Sequence, residues 1–360
     1  MNDVTPYPRL RVSDFDYELP EGSIAQIPAK PRDAARLLVL DRAASQPGRP
    51  VLDHRTFREL GELLRPGDLL VVNDSRVIPA RLRAERRGGG SAELLLLRPL
   101  EGDESRWEAL VRPSRRVGVG EALTLRTGTQ VEVGERLPGG TRPVRFDGDP
   151  LAVMLEAGET PLPPYVHDRS IGPDRYQTVY AVPPGSAAAP TAGLHFTRAL
   201  LAGLQAKGVL RATVTLHVGL DTFRPLEGEY IDEHRIHREW YEVPSATPAA
   251  ITEAKRHGGR VIAVGTTSVR VLETAARDGS HAGWTDLYVT PPHTFASVDA
   301  LITNFHLPRS SLLLLVTAFV QAGMPAATAL EARDVLLRAY RVALAEGYRF
   351  FSFGDAMFIG

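Results

Sequence analysis

The chain has 360 residues, of which 43% are hydrophobic and 24% are charged, a composition typical of a globular protein with about two domains. Its 42 lysines and arginines nearly balance its 43 aspartates and glutamates, so no overall field attracts nucleic acid or an anionic membrane. Cysteine is absent, which excludes disulfides, thiolate metal sites and a thiol nucleophile.

The apolar runs are short. The longest lies around residues 312–320 and is about half as long as a helix that spans a bilayer. The N-terminal residues lack the charged and then apolar pattern of a signal peptide. We therefore expect a cytoplasmic protein without a membrane partner, and the lack of a long exposed apolar helix favours a monomer.

In chain order, the first 60 residues predict a strand at 37–40 and a short helix that begins at the capping box of Thr56 and Glu59. A buried strand follows at 69–72. From there to about residue 149, short alternating or apolar runs are separated by glycine-rich or charged turns. Regularly spaced short strands without helical periodicity predict a small antiparallel barrel or sandwich.

After residue 150 the pattern changes to alternating strands and helices. This alternation predicts an α/β domain with a largely parallel sheet. The predicted helices are 197–207, 248–257, 268–277, 311–321 and 329–346, and the predicted strands are 210–218, 260–264, 286–289 and 349–353. The expected fold is an α/β domain of residues 1–67 and 150–360, with an antiparallel β-barrel domain of residues 68–149 inserted into it.

A cluster of polar side chains at 299–310 stands directly before a run of leucines. In an extended segment residues two apart share a face, so Asn304 and His306 point the same way. A helix is expected to start at Ser310 or Ser311, and its free N–H groups favour anions or lone pairs. By itself, such an Asn and His pair is more often a hydrogen-bond network that closes a core.

Three further segments place polar groups where strands or loops end. His195 lies in a glycine-containing loop before a predicted helix, and His217 lies on a strand that ends near Gly219. The strand at 260–264 runs into Gly265-Thr-Thr-Ser268, whose hydroxyls and free N–H groups suit phosphate, carboxylate or ribose oxygens. Each segment alone also fits a structural role, such as a capped helix or a buried strand histidine.

The candidate catalytic residues are His195, His217 and His306. Because the carboxyl ends of parallel strands converge on one crevice, we expect these histidines to lie close together. The candidate substrate-binding residues are Arg76, Thr191, Gly193, Gly219, Thr222, Gly265, Thr266, Thr267, Arg270 and Asn304.

Several familiar motifs are missing. The sequence has no Gly-x-x-x-x-Gly-Lys-Ser/Thr, no Gly-x-Gly-x-x-Gly after a strand and no Gly-x-Ser-x-Gly. A P-loop nucleotidase, a common dinucleotide enzyme and an α/β-hydrolase therefore do not fit. His234 and His237 are close in sequence, but no carboxylate accompanies them at a familiar metalloenzyme spacing. We therefore expect no metal.

The predicted barrel is basic. Between Arg76 and Arg116, ten arginines stand against six acidic residues, a net charge of about +4. A contact with RNA phosphates requires such a patch, but a solvated face in an arginine-rich protein explains the charge nearly as well. The candidate RNA-binding residues are Arg81, Arg83, Arg86, Arg87, Arg112, Arg115 and Arg116.

Segments along nearly the whole chain match, in order, the motifs of one family. They are residues 13–15, 19–25, 66–70, 73–81, 161–165, 176–180, 189–196, 215–219, 261–270, 298–308 and 348–359, and they include Ala189-Pro-Thr-Ala-Gly-Leu-His-Phe196. On these residues the chain resembles the S-adenosylmethionine:tRNA ribosyltransferase-isomerase family of queuosine biosynthesis. Two loops depart from the family pattern, with Asp221 in place of a second glycine and Pro292-His293 in place of Gly-aromatic.

The resemblance implies an α/β domain with an inserted β-barrel, and it implies a reaction. The ribosyl part of S-adenosylmethionine moves to the aminomethyl group of 7-aminomethyl-7-deazaguanine in the tRNA anticodon and rearranges to an epoxycyclopentanediol. Adenine and methionine are released, and epoxyqueuosine-tRNA is formed. The implied partners are this tRNA and S-adenosylmethionine, a co-substrate, and we expect no other cofactor.

In such a reaction the sulfonium acidifies the adjacent ribose 5′ carbon, so a general base there can begin the elimination of adenine. A general acid near the purine would help it leave. We assign these proton transfers to His195, His217 and His306 without dividing the roles among them, because imidazoles titrate near neutral pH. Arg76 and Arg270 would meet a carboxylate or an RNA phosphate.

Two other functions remain open. A conventional methyltransferase would also use S-adenosylmethionine, but it usually has an early glycine-rich turn between a strand and a helix, which is missing here. A non-catalytic RNA-binding protein would use the arginine-rich barrel, but it has no need for three histidines at the strand ends of a second domain.

Overall fold

The structure is a computed structural model that describes residues 9–100, 102–137, 140–168, 170–219 and 225–360. Its strands are β1 (Arg36–Gln46), β2 (Arg49–Thr56), β3 (Leu69–Asn73), β4 (Arg76–Val77), β5 (Arg81–Arg86), β6 (Ser91–Leu100), β7 (Asp103–Arg112), β8 (Glu121–Leu125), β9 (Gln130–Val133), β10 (Arg142–Phe146), β11 (Pro184–Ser186), β12 (Leu210–Leu216), β13 (Glu239–Glu242), β14 (Val261–Val264), β15 (Ala282–Thr285), β16 (Ala300–Asn304) and β17 (Ala356–Ile359). Its α-helices are α1 (Leu60–Leu63), α2 (Pro150–Ala157), α3 (Arg198–Ala206), α4 (Ala246–Arg256), α5 (Thr266–Asp278), α6 (Ser311–Ala322) and α7 (Ala329–Ala345). In the described part of the chain, none of these helices is long and apolar enough to cross a membrane.

Within the described residues, nine strands form the main sheet in the order β15, β13, β12, β3, β14, β16, β17, β1 and β2. The four central strands, β12, β3, β14 and β16, are parallel to one another. Strand β17 is antiparallel to β16 and parallel to β1, and the outer pairs are antiparallel. The predicted α/β fold class is confirmed, and the parallel pairing is concentrated at the centre of a mixed sheet.

Alternate residues of the central strands enter two different cores because successive side chains of a strand point to opposite faces. Leu69 and Val71 of β3 pack in the core that includes α5, α6 and α7. Leu70 and Val72 pack in a second core with α3 and Phe57. Every residue of β3, β14 and β16 is buried, which explains why these strands are continuous apolar runs.

The strands β5 to β10 form a closed antiparallel barrel in the part of the chain that the structure describes, with a core of its own. The predicted barrel is confirmed. Arg142, only 2% exposed, donates from its guanidinium to the carbonyl oxygens of Val117, Gly118 and Gly134 at 2.7, 3.0 and 2.6 Å. This buried arginine therefore satisfies backbone carbonyls of two connecting segments at once.

The chain connects the main sheet to the barrel through a separate two-stranded sheet. After β3 the chain forms β4, which pairs with β11. The backbone N–H of Arg81 then donates to the carbonyl of Glu159 at 3.2 Å, and that of Glu159 donates back at 2.8 Å. The segments that enter and leave the barrel are therefore hydrogen-bonded to each other.

The predicted start of the barrel region at residue 68 is too early. Strand β3 lies in the main sheet, and the barrel strands begin at Arg81. A buried apolar strand fits a sheet covered on both faces better than a barrel with one solvated face. The division of the chain into two domains stays a prediction.

Two predicted strands lie elsewhere. Strand β15 ends at Thr285, and Leu287 of the predicted strand 286–289 packs on the core outside any ladder. The predicted strand 349–353 is an irregular buried segment in which Phe351 has a φ of 68°, and the last strand is β17 instead. Both runs are apolar because they are buried, and burial alone does not distinguish a strand from an irregular segment.

Candidate active site

A cavity of about 670 Å³, the large cavity, lies between the barrel and the main sheet. Its volume is within the roughly 300–1,000 Å³ that is usual for small-molecule sites. The barrel contributes Trp107, and the sheet contributes Trp240 and Trp284, which stand directly opposite each other on β13 and β15. All three tryptophans of the chain therefore line this one space.

A second cavity of about 60 Å³, the small cavity, lies next to it, and Leu312 lines both. It has room for only a few water molecules. The segment that follows β12 separates the two spaces, because His217 and Gly219 line the large cavity while Val218 lines the small one. Six predicted site residues line the small cavity: Thr191, Gly265, Thr266, Thr267, Asn304 and His306.

Asn304, the last residue of β16, connects three segments. Its amide oxygen accepts from the hydroxyl of Thr191 at 3.0 Å. Its amide nitrogen lies 3.2 Å from Nε2 of His195 and donates to the carbonyl of Phe351 at 3.2 Å. Because an amide nitrogen only donates, Nε2 of His195 is the acceptor. We call these three bonds the Asn304 network, and it holds the wall of the small cavity.

His195 is 4% exposed and lines neither cavity. Its ring packs 5.0 Å from that of Phe57. Burial, with smaller contributions from the charges of Arg349 and Arg32, lowers the pKa of His195 to about 3. This imidazole is therefore neutral at physiological pH and stands behind Asn304.

His306 is 8% exposed and is held at the backbone as well as at the ring. Its Nε2 lies 2.8 Å from the hydroxyl of Thr303. Its backbone N–H donates to the hydroxyl of Tyr340 at 3.1 Å, and its carbonyl accepts from the hydroxyl of Tyr17 at 2.5 Å. Burial lowers the pKa of His306 to about 3, so this ring is also neutral.

His217 differs from the other two because it faces the large cavity. Its ring stacks on Trp240 with 5.1 Å between centroids, and its Nδ1 is buried without a hydrogen-bond partner among the described residues. Gly185 lies so close that a Cβ atom there would be 2.6 Å from Nε2 of His217. Burial lowers the pKa of His217 to about 4.

Arg270 and Gly219 lie on the opposite side of the large cavity from the barrel and share one partner, Glu239. The Arg270 guanidinium forms an ion pair with Glu239, and the other oxygen of this carboxylate accepts from the Gly219 N–H at 2.8 Å. Glu239 and the tryptophans were not identified from the sequence. Trp240 and Trp284 come together only through the pairing of β13 with β15, and Trp107 joins them only because the barrel lies against the sheet there.

Gly193 and Arg76, two of the remaining substrate-binding candidates, line neither cavity. A Cβ atom at Gly193 would be 2.1 Å from the Tyr180 hydroxyl, so close packing requires this glycine. Arg76 is exposed on β4, next to the strand whose Gly185 lines the large cavity. Thr222 lies outside the described residues, as does Asp221.

The second departure from the family pattern lies away from both cavities. His293 follows a cis bond between Pro291 and Pro292 and has Nε2 3.9 Å from the carboxylate of Glu273. It lines neither the large nor the small cavity.

The seven barrel arginines fall into two groups. Arg81, Arg83 and Arg86 each have a carboxylate partner, which is Glu93, Glu159 and Glu121 respectively. The other four, Arg87, Arg112, Arg115 and Arg116, are exposed and have no ion pair among the described residues. A phosphate could reach this second group without displacing a carboxylate.

The depressed histidine pKa values predict a loss of stability in acid. His306 binds a proton below about pH 6.5 when unfolded but only near pH 3 when folded, so protons favour the unfolded chain between these values. At about pH 5 this costs roughly 2 kcal/mol for one such histidine. We expect His306→Gln to reduce the difference in unfolding free energy between about pH 7 and pH 5 by that amount, as measured by urea denaturation. An unchanged difference would contradict the buried neutral state of His306.

Comparisons with known proteins agree with the resemblance. A family model described as queuosine biosynthesis protein matches residues 12–359. The S-adenosylmethionine:tRNA ribosyltransferase-isomerase of Moorella thermoacetica is 52% identical and covers 97% of this chain and 100% of its own. The one of Thermotoga maritima is 49% identical with the same coverage. A crystal structure of the S-adenosylmethionine tRNA ribosyltransferase of Thermotoga maritima matches with a TM-score of 0.54 and 40% sequence identity, over 96% of this chain and 100% of that one. The chain belongs to the queuosine biosynthesis protein family.

Proposed function

We propose that this chain transfers the ribosyl moiety of S-adenosylmethionine to 7-aminomethyl-7-deazaguanine in the tRNA anticodon and isomerises it, forming epoxyqueuosine-tRNA and releasing adenine and methionine. The observation that supports this most directly is the large cavity. It combines a volume of about 670 Å³, three tryptophans and a neutral histidine, in a chain whose relatives are named for this reaction.

Of the two cavities, only the large one has enough volume for the donor. S-adenosylmethionine contains a purine, a ribose and an amino-acid chain, and the small cavity of about 60 Å³ cannot enclose even the purine. Trp240 lies opposite Trp284 on the paired strands β13 and β15, and the ring of His217 stacks on that of Trp240. The three rings therefore form one aromatic surface. Such a surface suits purine bases, because a base gains roughly 1–3 kcal/mol by stacking on an aromatic side chain.

We assign the general base to His217. It faces the large cavity, is neutral because burial lowers its pKa to about 4, and has an Nδ1 without a partner among the described residues. A base of this pKa is weak, and the approach of an RNA phosphate would strengthen it by favouring the imidazolium. The proton that leaves the ribose 5′ carbon goes to His217, and the electron pair left on carbon begins the elimination of adenine.

We assign positioning roles to the other two histidines. His195 and His306 are buried and have ring partners in Asn304 and Thr303. With a pKa near 3, each ring is in its neutral form at physiological pH, so neither is the imidazolium that a general acid requires. Both side chains instead hold the end of β16 in the wall of the small cavity, His195 through Asn304 and His306 through Thr303.

Removal of the His217 imidazole should impair proton transfer more than binding. We expect His217→Gln to lower the rate of single-turnover adenine release by about 10²–10⁴-fold, with a much smaller change in the KM for S-adenosylmethionine. His257→Gln, at the exposed end of α4, is the matched control and should retain the wild-type rate. Unchanged adenine release from the His217 variant would exclude the base role.

The four exposed barrel arginines support contact with the tRNA body. Strand β7 places Arg112 five residues from Trp107 of the cavity wall, a separation of roughly 17 Å along an extended strand. A modified base in the cavity would therefore leave its flanking helix beside the far end of the barrel. Contacts there would be made with phosphates rather than with the reacting base.

Loss of two of these arginines should weaken tRNA binding without affecting the donor. If Arg115 and Arg116 each contact one phosphate, tRNA binding by the double variant Arg115→Gln and Arg116→Gln should depend less on salt. The slope of log K against the logarithm of the salt concentration should fall in magnitude by about two. Arg83→Gln is the contrast, because the Arg83 guanidinium already lies 2.9 Å from Glu159. An equal effect of the Arg83 variant in a filter-binding assay would contradict the assignment to exposed arginines.

The transferred group distinguishes this function from its rivals. With tRNA that bears the aminomethyl base, donor labelled in the ribose should leave its label on tRNA and release one adenine for each transfer. Label from the methyl group on tRNA would indicate a methyltransferase. No transfer of either label would indicate an RNA-binding protein without this activity.

We propose further that the chain acts as a monomer in the cytoplasm and uses no cofactor besides S-adenosylmethionine. The proposed chemistry needs no external oxidant or reductant, because it consists of proton transfers, an elimination and additions. His234 and His237 both line the large cavity, and among the described residues no group of three or more potential metal ligands converges.

A further inference from the structure

Arg270 has a donor group that no part of the described protein uses. The side chain extends from α5 to the wall of the large cavity and is 5% exposed. Its Nε donates to the carbonyl of Leu287 at 3.2 Å, and its Nη1 pairs with Glu239. Its Nη2 is buried without a hydrogen-bond partner among the described residues. An unmet buried donor destabilises a folded protein, and more so when the group is charged.

The guanidinium is held so that only one edge can receive a ligand. Glu239 fixes Nη1 and is itself fixed by the N–H of Gly219 at 2.8 Å. A planar guanidinium with two of its nitrogens occupied cannot rotate to bring Nη2 elsewhere. The geometry therefore points to an oxyanion of the ligand beside Nη2, inside the large cavity.

We propose that Arg270 binds the α-carboxylate of the methionine part of S-adenosylmethionine and that Glu239 is a positioning residue that orients Arg270. This rests on the proposed function of the large cavity as the donor site. A carboxylate at the end of a flexible chain can reach a buried guanidinium, whereas an RNA phosphate stays near the surface. The exposed Arg238, which also lines this cavity, is better placed for a phosphate.

The proposal gives the donor a direction in the cavity. Its carboxylate lies at Arg270, and its purine lies against Trp240 and Trp284, the tryptophan part of the aromatic surface. The ribose and the sulfonium then lie between these two ends. His217 belongs to the same aromatic surface, which places its imidazole next to the ribose rather than next to the carboxylate.

The test compares two donors that differ only in the carboxylate. S-adenosylmethionine and decarboxylated S-adenosylmethionine are titrated into the full chain by calorimetry. We expect wild-type protein to bind the carboxylated donor roughly 10- to 100-fold more tightly, as for one charge-assisted hydrogen-bond pair. In the double variant Arg270→Met and Glu239→Gln, this ratio should fall to about one, because neither partner is left as an unpaired buried charge.

Binding of the decarboxylated donor serves as the internal test of folding and should change by less than about twofold in the double variant. Glu239→Gln alone should reduce the ratio while Arg270 remains, a result that a merely structural role for Glu239 would not produce. Arg235→Gln, at an exposed arginine that does not line the large cavity, is the matched control and should keep the wild-type ratio. Equal affinity of wild-type protein for both donors, or an unchanged ratio in the double variant, would overturn the proposal and leave the donor site intact. Failure of wild-type protein to bind either donor would overturn the proposed function together with it.

Discussion

The geometry of the site depends on one buried asparagine where the chain leaves the main sheet for the barrel. The amide nitrogen of Asn73 donates to the Leu216 carbonyl at 3.1 Å, and its amide oxygen accepts from the N–H groups of Leu216 and Ser75, both at 3.1 Å. A side-chain amide thus continues the pairing of β3 with β12 after the backbone of β3 has turned away. Strand β12 ends at Leu216 for this reason, and His217, the next residue, is free of the parallel ladder and faces the large cavity.

Burial makes all three strand-end histidines neutral, and their partners make them different. The rings of His195 and His306 are held by Asn304 and Thr303, so they rigidify the wall of a space too small for a nucleoside. His217 is stacked on Trp240 but keeps an unpaired Nδ1. A buried polar atom without a partner is costly in a folded protein, and it is retained where a ligand or a proton supplies the missing contact. In the function that we propose, the same side-chain type therefore serves structure at His195 and His306 and chemistry at His217.

The parts of the site that could be predicted from the sequence are those set by local geometry. Asn304 and His306, which are two residues apart, both line the small cavity, and Gly265, whose φ is 88°, ends a strand at a helix start. The separation into two cavities could not be predicted, because it depends on where the barrel lies over the sheet. Glu239 could not be identified from the sequence because β13 has only four residues, too few for a periodic pattern. The position of Glu239 at the cavity is set only by the pairing of β13 with strands that are distant in sequence. The boundary at residue 68 was misplaced because an apolar run indicates burial but not the sheet to which it belongs.

The two walls of the large cavity are coupled through the attachment of the barrel. Arg98 of the barrel pairs with Glu108 at 2.6 Å and lies 5.3 Å from the ring of Trp284 in the main sheet. At an exposed site, such a cation–π contact stabilises by roughly 0.5–1 kcal/mol. Such a contact is too weak to fix the barrel. The firmer connection is the pairing of β4 with β11, and β11 carries Gly185, the residue against which Nε2 of His217 packs. The barrel and the imidazole are therefore connected through β4 and β11, and under the proposed function a tRNA bound at the far end of the barrel would act on this connection.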